Sequence, residues 1–207
     1  MTVLGLICGL RGSLLRNDLS GPLPDLKGVF FFDMETEGLN PHKHRIITIQ
    51  VRHRGSTEVW KEWQLGEAGC LDSLFVFLDR ADWNACSLVG YNVLRFDIPF
   101  VDVRLRALGL MNERAWHLLH SWPHVIDLYQ LLGDYYLKAR QWYSSVTPVA
   151  NAVTNSDVPG LYARRQYGAI EGYVEREMEA MEFLYEDVKQ ERFYSELVKL
   201  REIAVKE

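Results

Sequence analysis

One mixed α/β sheet with helices packed on it is the fold class the sequence predicts, on three observations. Apolar runs compatible with strands crowd into residues 29–65, separated by turn signals. Beyond residue 70, segments of helical periodicity alternate with short buried runs, as in a sheet covered by helices. The last stretch, from residue 171 to about 206, is helical, broken at most once. With 207 residues, 48% hydrophobic and 25% charged, the chain suits one domain with a sizeable core.

Each element follows from its own residues. The turn-rich SGPLPDLKG precedes a strand over residues 29–33. RIITIQVRHR and EVWKEWQL read as two more strands joined at Gly55 and Ser56, which makes a three-stranded, antiparallel meander. LDSLFVFLDRA places Leu71, Leu74, Phe75 and Leu78 at helical spacing. SLVGYN is a short buried strand, and IPFVDVRLRALGL an amphipathic helix with Pro99 in its first turn. HVIDL is a further strand leading into YQLLGDYYL, and residues 138–160 are polar and irregular. No repeat or linker divides this run, so the domain is expected over residues 28–207 behind an N-terminal arm of residues 1–27. In the arm, Val3, Leu6, Ile7, Leu10 and Leu14 fall at helical spacing, while Gly5, Gly9 and Gly12 weaken a helix. The arm is expected to pack on the domain or on a second subunit, which leaves a homo-oligomer open.

Composition narrows the function classes. The formal net charge is -5, so no global basic field advertises a polyanionic partner. Divalent cations would change the local sign wherever acids cluster. Cys8, Cys70 and Cys86 are odd in number and widely spaced, which fits buried thiols in a reducing compartment and not a disulfide frame or zinc site. The apolar start, residues 3–10, is too short for a membrane span and lacks the basic flank of a signal peptide. A cytoplasmic location with no membrane partner is expected.

The chemistry-bearing residues begin with FFDMETEGLN. Asp33 and Glu35 are one residue apart at the end of a strand, where side chains at i and i+2 share a face. Two carboxylates so placed raise each other's pKa unless something positive lies between them. Asp97 sits where a helix begins, and an acid there also suits the helix dipole. Asp187 lies mid-helix, flanked by Glu182 and Glu186, and an acidic face of that kind is ordinarily just solvated.

Taken together, FFDMETEGLNPHKHRIITIQV, VGYNVLRFDIPF, VIDLYQLL and a late helical Asp resemble the DEDD family of 3′–5′ exonucleases, over about residues 28–190. The resemblance implies a ribonuclease H-like fold, a mixed sheet of about five strands flanked by helices. It implies Asp33, Glu35, Asp97 and Asp187 as catalytic residues and as ligands of two Mg²⁺ or Mn²⁺ ions. Magnesium prefers oxygen ligands, so a carboxylate cluster is its natural cage. Two such ions can activate a water and relieve charge on the leaving oxygen of a phosphodiester. The implied activity is hydrolysis of single-stranded nucleic acid from the 3′ end, with DNA expected over RNA. A non-catalytic nucleic-acid-binding relative is the alternative, and a polymerase or repair partner stays unassigned.

The resemblance also implies substrate contacts from Thr36, Leu39, Asn92 and Phe96, with Leu39 wedged against the terminal base. YLKARQWYSSV interleaves basic residues and rings, which makes Arg140, Trp142 and Tyr143 expected contacts for an unpaired strand, and YARRQY repeats the theme with Arg164 and Arg165. One departure stands out. The family places a Tyr four residues, or a His five residues, before its last Asp, and here those positions hold Phe183 and Glu182. Glu182 is therefore a candidate base, beside a mechanism that needs none.

Overall fold

The computed structural model describes residues 28–80, 86–120, 125–132 and 154–190, together with Pro24. Strands β1 (Val29–Thr36), β2 (Ile46–His53) and β3 (Ser56–Lys61) form the antiparallel meander. β4 (Ser87–Gly90) and β5 (Val125–Asp127) extend the sheet from the other edge of β1 in parallel, giving the order β3-β2-β1-β4-β5. The five-stranded mixed sheet is the one expected.

Period-2 alternation assigns β1 two different faces. Phe30, Phe32 and Met34 enter a core with α1 (Glu62–Arg80), α2 (Asp97–Ala107) and α3 (Glu113–His120). Val29 and Phe31 point the other way, against Met178, Met181, Tyr185 and Val188 of the long C-terminal helix α6 (Tyr167–Lys189). The short helices α4 (Leu128–Leu132) and α5 (Val158–Ala163) follow β5 and precede α6. A third cluster joins Ile47 to α5 and α6 through Val158, Leu161, Ile170 and Val174.

Several elements differ from the sequence expectation. The third strand ends at Lys61 and not at residue 65, because Trp63 leaves the sheet to stack on Tyr167 with ring centroids 4.4 Å apart. Helix α1 consequently starts at Glu62 and is kinked at Gly66, whose φ of 69° suits a residue without Cβ. α3 has no counterpart in the sequence expectation, although Ala115, Leu118 and Leu119 fall at helical spacing and Ala115 and Leu119 are buried. α6 begins four residues before the expected start at residue 171. The expected arm lies outside the described residues apart from Pro24, whose carbonyl accepts a 2.6 Å hydrogen bond from the Tyr185 hydroxyl. Cys8 is also outside them, Cys70 is buried and Cys86 half-buried. Burial, then Glu62 and Glu67, pushes the Cys70 thiol up to about 12, so it is a core residue and not a nucleophile. Among the described residues no helix is long and apolar enough to cross a membrane.

A buried ion pair fixes the loop that follows β1. Arg104 of α2 grips Glu67 of α1 through two hydrogen bonds of 2.7 Å and donates a third, at 3.0 Å, to the Pro41 carbonyl. Glu67 also accepts the Ile46 N–H at 2.9 Å, where β2 begins. Two helices, one loop and one strand thus meet around this pair. Removing one partner of such a pair leaves a buried charge uncompensated. Arg104→Ala should lower stability by about 3–5 kcal/mol in urea denaturation. A loss below about 1 kcal/mol, the size of an exposed pair, would show that the clamp is not holding the loop.

Candidate active site

The acids gather where β1 outruns its parallel neighbour. β4 pairs with β1 only as far as Phe31, so the edge of β1 beyond it is free of that strand. Continuing the alternation, Asp33 and Glu35 fall on the same face as Phe31, under α6. α6 supplies Glu177, and carboxylate oxygens of Asp33, Glu35 and Glu177 lie within 4.8 Å of one another. Asp97, the first residue of α2, is 2% exposed and close enough to raise the pKa of both strand acids.

Surrounding contacts hold this geometry. Gln50, opposite Asp33 in the β1–β2 ladder, donates from Nε2 to Asp33 Oδ2 at 2.8 Å. Asp127, at the end of β5, accepts the backbone N–H groups of Asn92 at 2.8 Å, Leu94 at 3.1 Å and Tyr129 at 3.0 Å. It thereby shapes the turn that delivers Asp97. Asn92 takes the left-handed conformation in that turn, with φ 60°, which Asn tolerates better than most residues.

Electrostatics make the cluster costly as it stands. Burial, followed by Glu177 and Asp97, raises the Asp33 carboxyl well above its ordinary value. Burial, Glu177 and Asp33 do the same to Glu35, and burial is also the first cause at Asp97. Glu35 and Glu177 hydrogen-bond each other, which requires a proton on one of them. Asp33, Glu35 and Asp97 make no ion pair among the described residues. Tyr173, four residues before Glu177 on α6, hydrogen-bonds Glu177, and burial and then the acids raise its pKa so that it stays protonated.

A family model for the RNase H superfamily matches residues 30–181. The chain belongs to the RNase H superfamily. Its fold is also similar to the structure of the family B DNA polymerase from the hyperthermophilic archaeon Pyrobaculum calidifontis, with TM-score 0.56 and 16% identity. That match covers 77% of this chain and 24% of the polymerase chain, so the likeness is one of fold. No curated protein matches.

In this RNase H-superfamily chain the structure brings together three of the four expected acids and replaces the fourth. Asp187 is buried on α6, ten residues and about 15 Å along the helix from Glu177. It is too far down the helix to share the cluster, and Glu177 stands in its place. The sequence signal for this is Tyr173-x-x-x-Glu177, the Tyr spacing of the family with Glu in place of Asp. Glu182 is not available as a base, because it pairs with Arg52 at 2.5 Å, roughly 140° round the helix from Glu177. Thr36 bonds the Gly38 carbonyl, Leu39 projects with 82% of its surface exposed, and Phe96 is packed against Phe100 and the core. Arg140, Trp142 and Tyr143 lie outside the described residues.

The donor set fits a divalent cation. All four groups offer oxygen, as Mg²⁺ and Mn²⁺ prefer, and Asp97 Oδ1 is buried with no hydrogen-bond partner. Without metal, the raised carboxyls hold protons in the fold that the unfolded chain has released. Metal-free stability should therefore be greatest near the ordinary carboxylate values and fall as pH rises from there through the raised ones. Melting temperatures across pH, in EDTA and in Mg²⁺, check this, with the metal's stabilisation growing as pH rises. Asp33→Asn should raise the metal-free melting temperature. A metal effect largest at acid pH would contradict the assignment.

Proposed function

We propose that the protein is a metal-dependent 3′–5′ exonuclease acting on single-stranded nucleic acid, DNA ahead of RNA. The observation that carries this reading is the convergence of Asp33, Glu35 and Glu177 carboxylates within 4.8 Å, with Tyr173 bonded to Glu177. Asp33, Glu35, Glu177 and Asp97 would hold the cations. When bound, two Mg²⁺ or Mn²⁺ ions would supply charge neutralisation at the scissile phosphate and acidify a water. Tyr173, kept protonated by its surroundings, donates its one proton to Glu177, so it would position that carboxylate and could accept from the attacking water without acting as a base. The exposed Leu39 stands on the loop held by Arg104, where it can press on a terminal base. Polarity and strand preference come from the resemblance of the motifs to the DEDD exonucleases. The non-catalytic alternative rests on a missing Tyr, and Tyr173 occupies that spacing from the cluster acid.

The test is incubation of 5′-labelled single strands, DNA and RNA in parallel, with Mg²⁺, Mn²⁺ or EDTA. A ladder shrinking from the 3′ end in metal alone is expected, and strand binding without any cleavage would favour the non-catalytic relative. Glu177→Gln should lower kcat by about 10²-fold or more, as loss of a catalytic carboxylate does. Asp187→Asn and Glu182→Gln should retain most of the rate in folded protein. Tyr173→Phe should lower kcat with metal affinity unchanged. Equal losses at Glu177 and Asp187, both variants being folded, would return the fourth acid to Asp187.

A further inference from the structure

The turn between α5 and α6 carries an arginine in a position that ordinarily belongs to glycine. The Gln166 N–H bonds the Leu161 carbonyl at 2.9 Å and the Arg165 N–H bonds the Tyr162 carbonyl at 2.9 Å, which together close a Schellman motif at the end of α5. Arg165 occupies its left-handed position, with φ 56°. A side chain there is strained, and glycine would relieve it. Both Arg165 and its neighbour Arg164 are exposed. Arg164 Nε donates to Gln166 Oε1 at 3.3 Å, and neither arginine forms a salt bridge among the described residues. Of the nearby acids, Glu62 is engaged by Tyr162 and Arg45 and Glu171 by Lys61, while Asp157 accepts from Thr154 and feels the charge of Arg164 without a salt bridge to it.

Beside these two guanidinium groups lies a cluster of half-buried rings. Trp63 stacks on Tyr167 at 4.4 Å with 6° between planes, and Tyr162 stands 6.3 Å from Trp63 and 6.2 Å from Tyr167. The cluster borders the apolar group that contains Tyr173. Tyr167 and Glu177 are ten residues apart on one helix, about 15 Å along its axis. At roughly 3.4 Å of axial rise per nucleotide in a stacked strand, that is a span of a few nucleotides.

We propose that Arg164 and Arg165, with the rings of Trp63, Tyr162 and Tyr167, receive the unpaired strand a few nucleotides upstream of the end held by the acids. The proposal rests on the exonuclease reading for what the acids do, and on its own geometry for where the strand lies. The arginines meet phosphates and the rings offer surfaces to bases. An acidic protein segment would meet the arginines as well, but would leave the rings unused.

The test uses the full chain and two 5′-labelled single strands, a dinucleotide and one of about ten nucleotides. Binding is read by fluorescence anisotropy in EDTA, and turnover in Mg²⁺. Arg165→Gly should bind the long strand about tenfold more weakly, with a salt dependence shallower by about 0.7 for a lost phosphate contact. Its melting temperature should be unchanged or higher, and dinucleotide turnover should equal wild type. Wild-type affinity for the long strand in both Arg165→Gly and Arg164→Ala would overturn the proposal, as would displacement of the strand by poly-glutamate as readily as by unlabelled strand. If the wild type cleaves and the arginine variants are indifferent, the surface falls and the exonuclease reading stands. If the wild type binds through the arginines without cleaving, the reading falls and the surface stands.

Discussion

Mutual repulsion among carboxylates crowded together, buried or half-buried, is the constraint around which the molecule is arranged. Asp33 and Glu35 come from one strand, Glu177 from a helix crossing it, and Asp97 from the start of another helix. None of these elements would bring its acid inward unaided. β1 is held by β2 on one side and by β4 for only part of its length, while α6 is held by Met178, Met181 and Val188 packing on Val29 and Phe31. Apolar burial along most of α6 thus opposes the local cost of Glu177 beside two like charges.

Several other acids around the sheet are treated differently. Glu67 has Arg104, Glu182 and Glu175 share Arg52, Glu171 has Lys61, and Asp127 has three backbone N–H groups. Two kinds of acid therefore share one sheet. The paired ones set the spacing of helices and loops, and the clustered ones lie against one another with oxygens of the kind a divalent cation prefers. Glu175 and Glu177 show the division within two residues of one helix, since the first turns to Arg52 and the second to Asp33 and Glu35.

Much of this is legible in the sequence alone. The alternation of strand and helix patterns carries the mixed sheet, and the pleat puts Asp33 and Glu35 on one face. What sequence does not reveal is which of several acids on α6 faces β1. Periodicity ranks apolar positions, but Glu171, Glu175, Glu177, Glu182 and Asp187 are all acidic, and only the packing of α6 on the sheet sorts them. Tyr173 is the local clue, four residues ahead of a Glu and not an Asp. The early end of β3 is hidden for a similar reason, because Trp63 suits a strand as well as it suits a stack on Tyr167.

The alternation along β1 also restricts how this site can change over evolutionary time. Phe32 and Met34 sit in the apolar core with one sense of the pleat, and Asp33 and Glu35 face α6 with the other. A single-residue insertion or deletion upstream within the strand would exchange the two sets, driving the carboxylates into the core under α1 and α2 and turning Phe32 and Met34 in among the acids. Only even-numbered changes conserve the sense of the side chains. Strand length here is therefore heritable in steps of two, and the loops, which carry no such parity, are where variation in length can accumulate.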